Sequence, residues 1–486
     1  FQKKLWLKKK FVLESHYCIT IDHILKHEDA EDLLATIASN DAQRVEWVKL
    51  FAIDEMEGYE KQLTTDFLQA NDKLLVDTKF YDAKFKYQIL SEFNHLDEQT
   101  DGLMINSENF QALNLLQERY REQVKCIYID PPYNTEKDRE EGKFVYKDSY
   151  DTSSWLSMMS DKIETSKLLL SDKGIFSCHI DENEHLTLEH LIQIHFGEKN
   201  DMGKLIWDKR NPKGAPKGIA MQHEYVHFAC KNMESLADEN FFVRDKANAK
   251  KMLKKASELI KKAGGTNDFV RKQFKDWIKD QDLSGGEKAY KFIDENGDLY
   301  QPVSMAAPDK PETRSHKPLI HPITGKPCPV PAKGWRFTDE AMASMKDKFI
   351  FGKDHNTQPR QKYLLENHLT ESVASLYYMG GSDEELAGNL NYTFQNPKPV
   401  KASQYFLKAS ARNLKSIILD YFSGSGTTGH AVINLNREDQ GKRKYILVEM
   451  GTYFNSVTKP RVQKVAYSNK WKDGQPEPEN GSLNGV

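Results

Sequence analysis

Residues 417–429 read IILDYFSGSGTTG, an apolar run followed by a glycine-rich turn. Gly424, Gly426 and Gly429 have the spacing GxGxxG, in which glycines allow a tight turn and let the backbone approach a ligand closely. An acid, Glu449, ends the next apolar run, where a carboxylate can hydrogen-bond ribose hydroxyls. Loop glycines also occur for conformational reasons alone. The order of strand, turn, helix, strand and acid nevertheless predicts an α/β fold with a nucleotide-type ligand.

Alternating apolar patterns continue on both sides of this stretch. Short apolar runs predict strands at 126–129, 175–180, 204–207, 417–420 and 445–449, and helical spacing predicts helices at 109–121, 155–170, 184–194 and 429–435. Strands that alternate with helices are typical of βαβ units, so we expect a parallel, Rossmann-like sheet.

The middle of the chain has a different composition. Lys-rich helical stretches follow residue 233, a Pro-dense segment spans 302–331, and the α/β pattern resumes at about 393. We therefore expect a helical N-terminal region without a recognisable motif at 1–88, a first α/β half at 89–232, an inserted domain at 233–392, a second α/β half at 393–466 and a tail at 467–486.

A second motif, DPPY, follows the apolar run 126–129. Asp130 can accept an N–H hydrogen bond from an aromatic amine and push electron density onto its nitrogen. Pro131 and Pro132 have a restricted φ and no N–H, which stiffens the backbone and presents the Pro131 carbonyl as a second acceptor. Tyr133 offers a flat face on which an extruded base can stack. The alternative is a strand end with a Pro-rich turn, but the motif indicates a site that methylates an amine.

The two motifs together indicate the cofactor. A nicotinamide enzyme would need a hydride site, and the sequence shows none. S-adenosylmethionine fits better, provided that the glycine loop lies beside Asp130 so that methyl group and amine can align. In open parallel sheets, ligands bind outside the carboxyl ends of the strands at a switch point. We therefore expect the two strands to end side by side.

Composition restricts the remaining possibilities. The formal net charge is −3 over 486 residues, so a nucleic-acid surface must be a local patch. The five cysteines form no CxxC pair, which favours reduced thiols in a cytoplasmic protein without a disulfide or zinc framework. No apolar stretch approaches the roughly 18 residues of a membrane helix, so we expect no membrane partner. The chain begins at Phe1, as expected of a trimmed chain or a fragment.

Residues 223–227 spell HExxH, which on a helix is a zinc signature. The neighbouring Tyr225, Val226 and Phe228 favour a strand, in which residues i and i+4 lie about 13 Å apart at about 3.3 Å per residue. One zinc ion with bonds of about 2 Å cannot join them. We therefore predict no metal site.

Two further groups of residues are candidates for nucleic-acid contact. Between Arg244 and Lys279 there are twelve Lys or Arg and four Asp or Glu. Such a run is either a solvated helix face or a phosphate-contacting surface. Phe144 and Tyr146, just after the catalytic motif, are candidates for holding an extruded base, whereas the spacing of Trp155 and Met158 indicates a core position.

With both motifs identified, the chain resembles the β-arranged amino-methyltransferases of DNA, in which the catalytic motif precedes a target-recognition domain and the cofactor loop. It is most similar to the modification subunits of type III restriction-modification systems. The resemblance covers about 101–471, and besides the two motifs it rests on the segments SENFQAL (107–113), WLSMM (155–159), WDKRNPKG (207–214), FQNPKP (394–399) and YILVE (445–449).

This resemblance implies a role for each matching position. The cofactor's methionine portion would be wrapped by the loop, its ribose bound by the acid after the next strand, and its adenine edge reached from the segment SEN. The cofactor-binding residues implied are Asp420, Phe422, Gly424, Gly426, Thr427, Glu449, Glu108, Asn396 and Lys398. Many relatives have Gly-Asp-Asn where this chain has SEN, so a surface Glu is the alternative for Glu108, as a Pro-Lys-Pro turn is for Lys398.

The sequence therefore predicts an S-adenosylmethionine-dependent methyltransferase of Rossmann-like α/β fold with an inserted target-recognition domain and a helical N-terminal region. It would extrude a base from double-stranded DNA and methylate adenine N6, with a restriction subunit and a second copy of the chain as further partners. Cytosine N4 and RNA adenine are alternative targets. A third alternative is a DNA-recognition subunit that anchors a restriction nuclease.

Overall fold

The computed structural model describes residues 12–91, 93–135, 151–211, 219–236, 242–246 and 248–477. The chain divides into two compact units, one formed by Phe1–Phe242 with Ala374–Val486 and the other by Val243–Val373. The inserted region expected at 233–392 extends beyond the second unit at both ends.

The strands of the described residues are numbered in chain order. They are β1 (Cys18–Thr20), β2 (Leu75–Asp77), β3 (Gly102–Asn106), β4 (Val124–Ile129), β5 (Leu170–Ile180), β6 (Asp201–Asp208), β7 (His223–Cys230), β8 (Val243–Asp245), β9 (Phe292–Ile293), β10 (Leu299–Ser304), β11 (Phe349–Ile350), β12 (Arg360–Leu364), β13 (Thr370–Ser372), β14 (Leu376–Tyr378), β15 (Ile417–Asp420), β16 (Lys444–Glu449), β17 (Trp471–Lys472) and β18 (Gln475–Pro476).

The α-helices are referred to by their bounds. They span Ile21–Ile24, Ala30–Ala38, Asp41–Phe51, Thr65–Ala70, Ala83–Leu90, Leu96–Gln99, Asn109–Tyr120, Thr152–Lys167, His185–Phe196, Met233–Leu236, Ala249–Ala263, Asp268–Lys279, Gly285–Lys288, Asp339–Ser344, Glu384–Asn389, Val400–Ser410, Thr427–Asp439 and Lys459–Tyr467. The predicted helices and strands of the two α/β halves are all present, although most are longer than expected, and residue 170 begins β5 rather than ending a helix.

The first unit is built on a sheet whose strand order is β14-β6-β7-β5-β4-β15-β16-β3. The pairs β4 with β5, β4 with β15, β15 with β16 and β16 with β3 are parallel. Strand β7 runs antiparallel to both β5 and β6. Strand β7 therefore departs from the parallel sheet that was expected, whereas the edge strand β14 is parallel to β6. The segment 223–230 is a strand, as predicted.

Helices cover both faces of this sheet, as the alternation of strand side chains requires. Ile127 and Ile129 belong to a core that includes Trp155 of the helix Thr152–Lys167. Tyr128, the residue between them, points to the other face, where its hydroxyl lies 3.1 Å from Ser403 Oγ of the helix Val400–Ser410. Trp155 is fully buried, so its predicted core position is confirmed.

The N-terminal region packs on the C-terminal helix of the same unit. The ring of Phe51 lies 4.5 Å from that of Tyr467, and Lys459 Nζ lies 2.5 Å from Asp77 Oδ2. The Asp77 side chain is only 1% exposed, so this ion pair lies in the interior of the unit. Residues 12–91 are thus held to the helix Lys459–Tyr467 by aromatic packing and by a buried charge pair.

The second unit has a sheet of its own, with the strand order β11-β12-β10-β9. The helices Ala249–Ala263 and Asp268–Lys279 contribute Met252 and Phe274 to its core. Strands β8 and β13 pair antiparallel, with Val243 opposite Ser372, so the unit begins and ends on neighbouring strands. Residues 374–392 do not belong to this unit, because β14 extends the sheet of the first unit beside β6.

Candidate active site

The two sequence motifs meet at one edge of the main sheet. Strand β4 ends immediately before Asp130, and its parallel neighbour β15 ends at Asp420, with Ile418 opposite Cys126 in the register. From here the chain continues to β5 on one side and to β16 on the other, which makes this edge a topological switch point. The two strands therefore end side by side, as the sequence predicted.

The glycine loop has the backbone that its sequence requires. Gly424 and Gly426 have φ values of 50° and 85°, in the left-handed region that favours glycine. A Cβ atom added to Gly429 would lie 2.9 Å from Leu447 Cδ1 of β16, so the third glycine lets the helix Thr427–Asp439 pack closely on the sheet. Ser423 Oγ is buried without a hydrogen-bond partner among the described residues, which fits a loop that binds a polar ligand.

Two carboxylates flank this loop. Glu449 accepts hydrogen bonds from the backbone N–H groups of Gly424 (2.8 Å) and Gly451 (2.7 Å), which fixes its carboxylate beside the turn. Each oxygen retains acceptor capacity, so ribose hydroxyls could still bind. Asp420 accepts from Phe422 N (3.0 Å) and Thr428 Oγ1 (2.5 Å), and burial raises its pKa to about 7.

A buried cation that the sequence analysis missed lies beneath the loop. Arg461 is 1% exposed, and its Nη1 lies 2.6 Å from Ser425 Oγ and 2.9 Å from Thr427 Oγ1. Thr427, which we expected at the cofactor, therefore directs its hydroxyl to this guanidinium. Arg461 stacks over the ring of Tyr392 at 5.3 Å. No motif marks Arg461, which reaches the loop only because the last helix folds under it.

The three other residues assigned to the cofactor lie in different places. Glu108 caps the helix Asn109–Tyr120 by accepting from Gln111 N (3.1 Å) and also contacts Lys162 Nζ (3.3 Å). Asn396 is exposed, with a φ of 49°. Lys398 points to the DPPY motif, as described below. The cofactor roles of Glu108, Asn396 and Lys398 stay predictions.

The DPPY motif is fixed at its far end by buried polar contacts. Trp155 Nε1 donates to the Pro132 carbonyl (2.8 Å). Asn134 has a φ of 62° and donates from Nδ2 to Glu184 Oε1 (2.7 Å). Phe144 and Tyr146, which the sequence suggested for an extruded base, lie outside the described residues.

The two oxygens of the Asp130 carboxylate differ in their surroundings. Its Oδ1 is buried and faces the Lys398 ammonium at 3.4 Å, without a hydrogen bond of good geometry from the described residues. The side chain as a whole remains 31% exposed, so the carboxylate can be reached from outside. Burial raises the pKa of Asp130, and the nearby ammonium of Lys398 opposes that rise. An acceptor in this state is suited to a ligand N–H.

Lys398 stands beside Asp130 but is held by Glu224. Its Nζ lies 2.5 Å from Glu224 Oε2 and 3.4 Å from Asp130 Oδ1, and 4.8 Å from the centre of the Tyr133 ring. It also contacts the Tyr133 hydroxyl. Burial alone would lower the pKa of Lys398, but Asp130 and Glu224 outweigh it and raise that pKa.

Glu224 is the second residue of this site that the sequence analysis missed. It accepts from the Tyr133 hydroxyl (3.2 Å) and forms an ion pair with Lys209 as well as Lys398. Burial acts to raise the pKa of Glu224, but the two lysines hold it well below its usual range. Glu224 belongs to the HExxH segment and reaches this edge because β7 is antiparallel, so that its amino end lies beside the carboxyl ends of its neighbours.

Comparison with known proteins agrees with this arrangement. A family model described as DNA methylase matches residues 124–459. The Mod subunit of the type III restriction-modification enzyme EcoP15I of Escherichia coli is 28% identical over 73% of this chain and 59% of its own length. The StyLTI Mod subunit of Salmonella typhimurium is 25% identical over 76% of this chain and 56% of its own length.

Solved structures were also compared. The M1.HpyAVI–SAM complex covers 74% of this chain and 98% of its own, at 12% identity and a TM-score of 0.34. The chain spans between 55% and 62% of the length of the Mod subunits that it matches. The family model, in contrast, covers most of the chain and includes both the DPPY motif and the glycine loop. The chain belongs to the DNA methylase family.

Proposed function

We propose that this chain transfers a methyl group from S-adenosylmethionine to adenine N6 in double-stranded DNA, after extrusion of the target base. The observation that carries this proposal is the position of Asp130 next to the glycine loop on adjacent parallel strands, with its side chain partly exposed. Membership of the DNA methylase family supports the reaction type.

The cofactor proposal rests on the fit of the loop. Left-handed glycines bring the backbone close to a ligand, the Ser423 hydroxyl lacks a partner in the described chain, and Glu449 is held at the strand end. Bound S-adenosylmethionine would supply an electrophilic methyl group. The loop residues would bind and orient it next to the DPPY motif.

The chain's own groups would act on the amine. Asp130 would accept one N–H at its carboxylate, and the Pro131 carbonyl would accept the second, which directs the nitrogen lone pair at the methyl carbon. Positive charge develops on nitrogen as the new bond forms, so the carboxylate stabilises the transition state. The proton lost from nitrogen passes to Asp130 or to solvent. Tyr133 would stack on the extruded base.

The test is transfer of a labelled methyl group to duplex DNA, followed by digestion to nucleosides. We expect N6-methyladenine as the product, whereas N4-methylcytosine would contradict the adenine proposal. Asp130→Ala should lower single-turnover transfer by at least about 100-fold while the Kd for S-adenosylmethionine stays within about twofold. Asp41→Ala, an exposed carboxylate in the N-terminal region, is the matched control and should leave both unchanged.

We further propose that the second unit recognises the DNA target. The helix Ala249–Ala263 buries Met252 and Ala256 and exposes Lys250, Lys254 and Lys261, which gives a local basic surface on a chain of net charge −3. Replacing these three lysines with Glu should weaken DNA binding and lower the salt slope by up to about 0.9 per lost phosphate contact. Replacing the exposed Lys49, Lys61 and Lys84 with Glu is the control.

We also infer that the chain acts in a restriction-modification system in which another subunit cleaves DNA, since the Mod relatives are named as subunits of such enzymes. Light scattering of the purified chain tests the homodimer, and co-purification with a co-expressed restriction subunit tests that partner. A monomer at all concentrations would exclude the homodimer.

A further inference from the structure

We propose that Glu224 is a positioning residue that holds the Lys398 ammonium away from Asp130, which keeps the Asp130 carboxylate both charged and available to the target amine. This inference rests on the proposed methyl transfer and assigns a role to a strand residue outside the DPPY motif and the glycine loop. Its basis is the arrangement of four charges, two of which directly follow β4 and β6, one of which lies in β7 and one in the segment before the helix Val400–Ser410.

The distances divide Lys398 unequally between two carboxylates. Its Nζ is 2.5 Å from Glu224 Oε2 but 3.4 Å from Asp130 Oδ1, which has no acceptable hydrogen bond from the described residues. Glu224 is anchored from its other side, because Lys209 pairs with its Oε1. Lys398 is therefore close enough to compensate the charge on Asp130 but lies nearer to Glu224 than to Asp130.

Each member of this cluster has a distinct effect on Asp130. Without Glu224, the buried Lys398 ammonium would have Asp130 as its nearest carboxylate and would take the acceptor site that the amine needs. Without Lys398, two carboxylates would share a buried site with one lysine fewer, which favours the protonated form of Asp130. A protonated Asp130 donates a hydrogen bond where an acceptor is required.

Other titratable groups also face this cluster. The Tyr133 hydroxyl donates a hydrogen bond to Glu224. The negative charge of Asp130 acts to raise the pKa of Tyr128, Cys178 and Asp420. The negative charge of Asp181 likewise acts to raise the pKa of Tyr133. His179 is buried on β5, and its pKa is lowered well below the usual value, so it adds no charge. Burial has the largest effect on the pKa of Asp130, and Lys398, Glu224 and Lys209 are the charged residues that act on it.

The experiment measures single-turnover methyl transfer at saturating S-adenosylmethionine and duplex DNA between about pH 5 and 9. Glu224→Gln should lower the plateau rate by about tenfold or more, because Lys398 then occupies Asp130, and should move the acid limb to lower pH. Lys398→Met should move that limb upward by about one pH unit or more. A purely structural role would not move the two limbs in opposite directions.

The double variant makes the test sharper. Glu224→Gln combined with Lys398→Met leaves no ammonium to occupy Asp130, so its plateau rate should exceed that of Glu224→Gln alone. Glu189→Gln and Lys204→Met are the controls, since these residues form an ion pair at 2.7 Å on neighbouring elements outside the site. A Glu224→Gln enzyme with the wild-type rate and pH profile would overturn the proposal.

A second readout does not depend on catalysis. Infrared titration of the free protein, with Asp130→Asn used to assign the carboxyl band, should show an upward shift of the Asp130 pKa in Lys398→Met and a downward shift in Glu224→Gln. If these shifts occur and no methyladenine forms, the proposed function fails while the arrangement stands. If neither shift occurs, the positioning role is wrong whatever the activity.

Discussion

Arg461 donates to both Ser425 Oγ (2.6 Å) and Thr427 Oγ1 (2.9 Å), so a buried guanidinium joins the last helix to the glycine loop. Burial lowers the pKa of Arg461, although Tyr392 and Asp383 partly oppose that effect. The cation thus stabilises the turn through two side-chain hydroxyls of the loop. Sequence motifs identify the loop but not this support.

Replacing Arg461 with Met should weaken cofactor binding without removing a cofactor contact. The loss leaves the Ser425 and Thr427 hydroxyls with only their 3.3 Å hydrogen bond to each other, at a cost of about 1–3 kcal/mol in the free energy of unfolding. Calorimetric titration with S-adenosylmethionine and urea unfolding are the measurements. Arg412→Met, at an exposed position, is the control, and equal behaviour of the two variants would contradict the supporting role.

Gly429→Ala should destabilise the fold. Its new methyl group would meet Leu447 Cδ1 at 2.9 Å, and both side chains lie in a packed interior, so we expect a loss of about 1–3 kcal/mol. The helical Gly388 provides a matched control, because nothing lies within 4 Å of the Cβ that Ala would add there. Gly388→Ala should be neutral or stabilising by up to about 1 kcal/mol. Urea unfolding separates the two outcomes.

Asp420 should make the protein less stable as pH rises. Its folded pKa is raised to about 7 by burial, from a usual value of 3.8, so the native state binds more protons than the unfolded state between these values. The stability therefore falls through this window, with a limiting slope of about 1.4 kcal/mol per pH unit. Asp420→Asn should remove that slope, and parallel unfolding curves for both proteins between about pH 4 and 7 would contradict it.

Lys459→Met should loosen the N-terminal region. Asp77 is 1% exposed, and this change leaves it with Lys79 at 3.5 Å as its remaining cation. Breaking a buried pair from one side costs about 3–5 kcal/mol, and Lys79 should reduce that loss. The substitution should accelerate backbone hydrogen exchange more in the helix Asp41–Phe51 than in β4. Lys472→Met, at an exposed position, is the control, and unchanged exchange in Lys459→Met would sink the prediction.

Local pattern was enough to predict much of this molecule. Strand β15 has the predicted bounds, and both motifs lie at the strand ends where they were expected. The antiparallel direction of β7 could not be predicted, because residues alternate between the two faces of a sheet in the same way in parallel and antiparallel strands. Glu224 was missed for that reason, and the direction of Lys398 depends on Glu224.

The antiparallel pairing of β8 with β13 has a consequence for the exchange of chain segments between related proteins. Because Val243 and Ser372 are opposite one another, the intervening residues leave and rejoin the chain at nearly the same point. A segment of any length can be replaced there without changing the separation that the flanking chain must span. The second unit can therefore be exchanged as one piece at its two neighbouring ends, and the target specificity proposed for it would be exchanged with it.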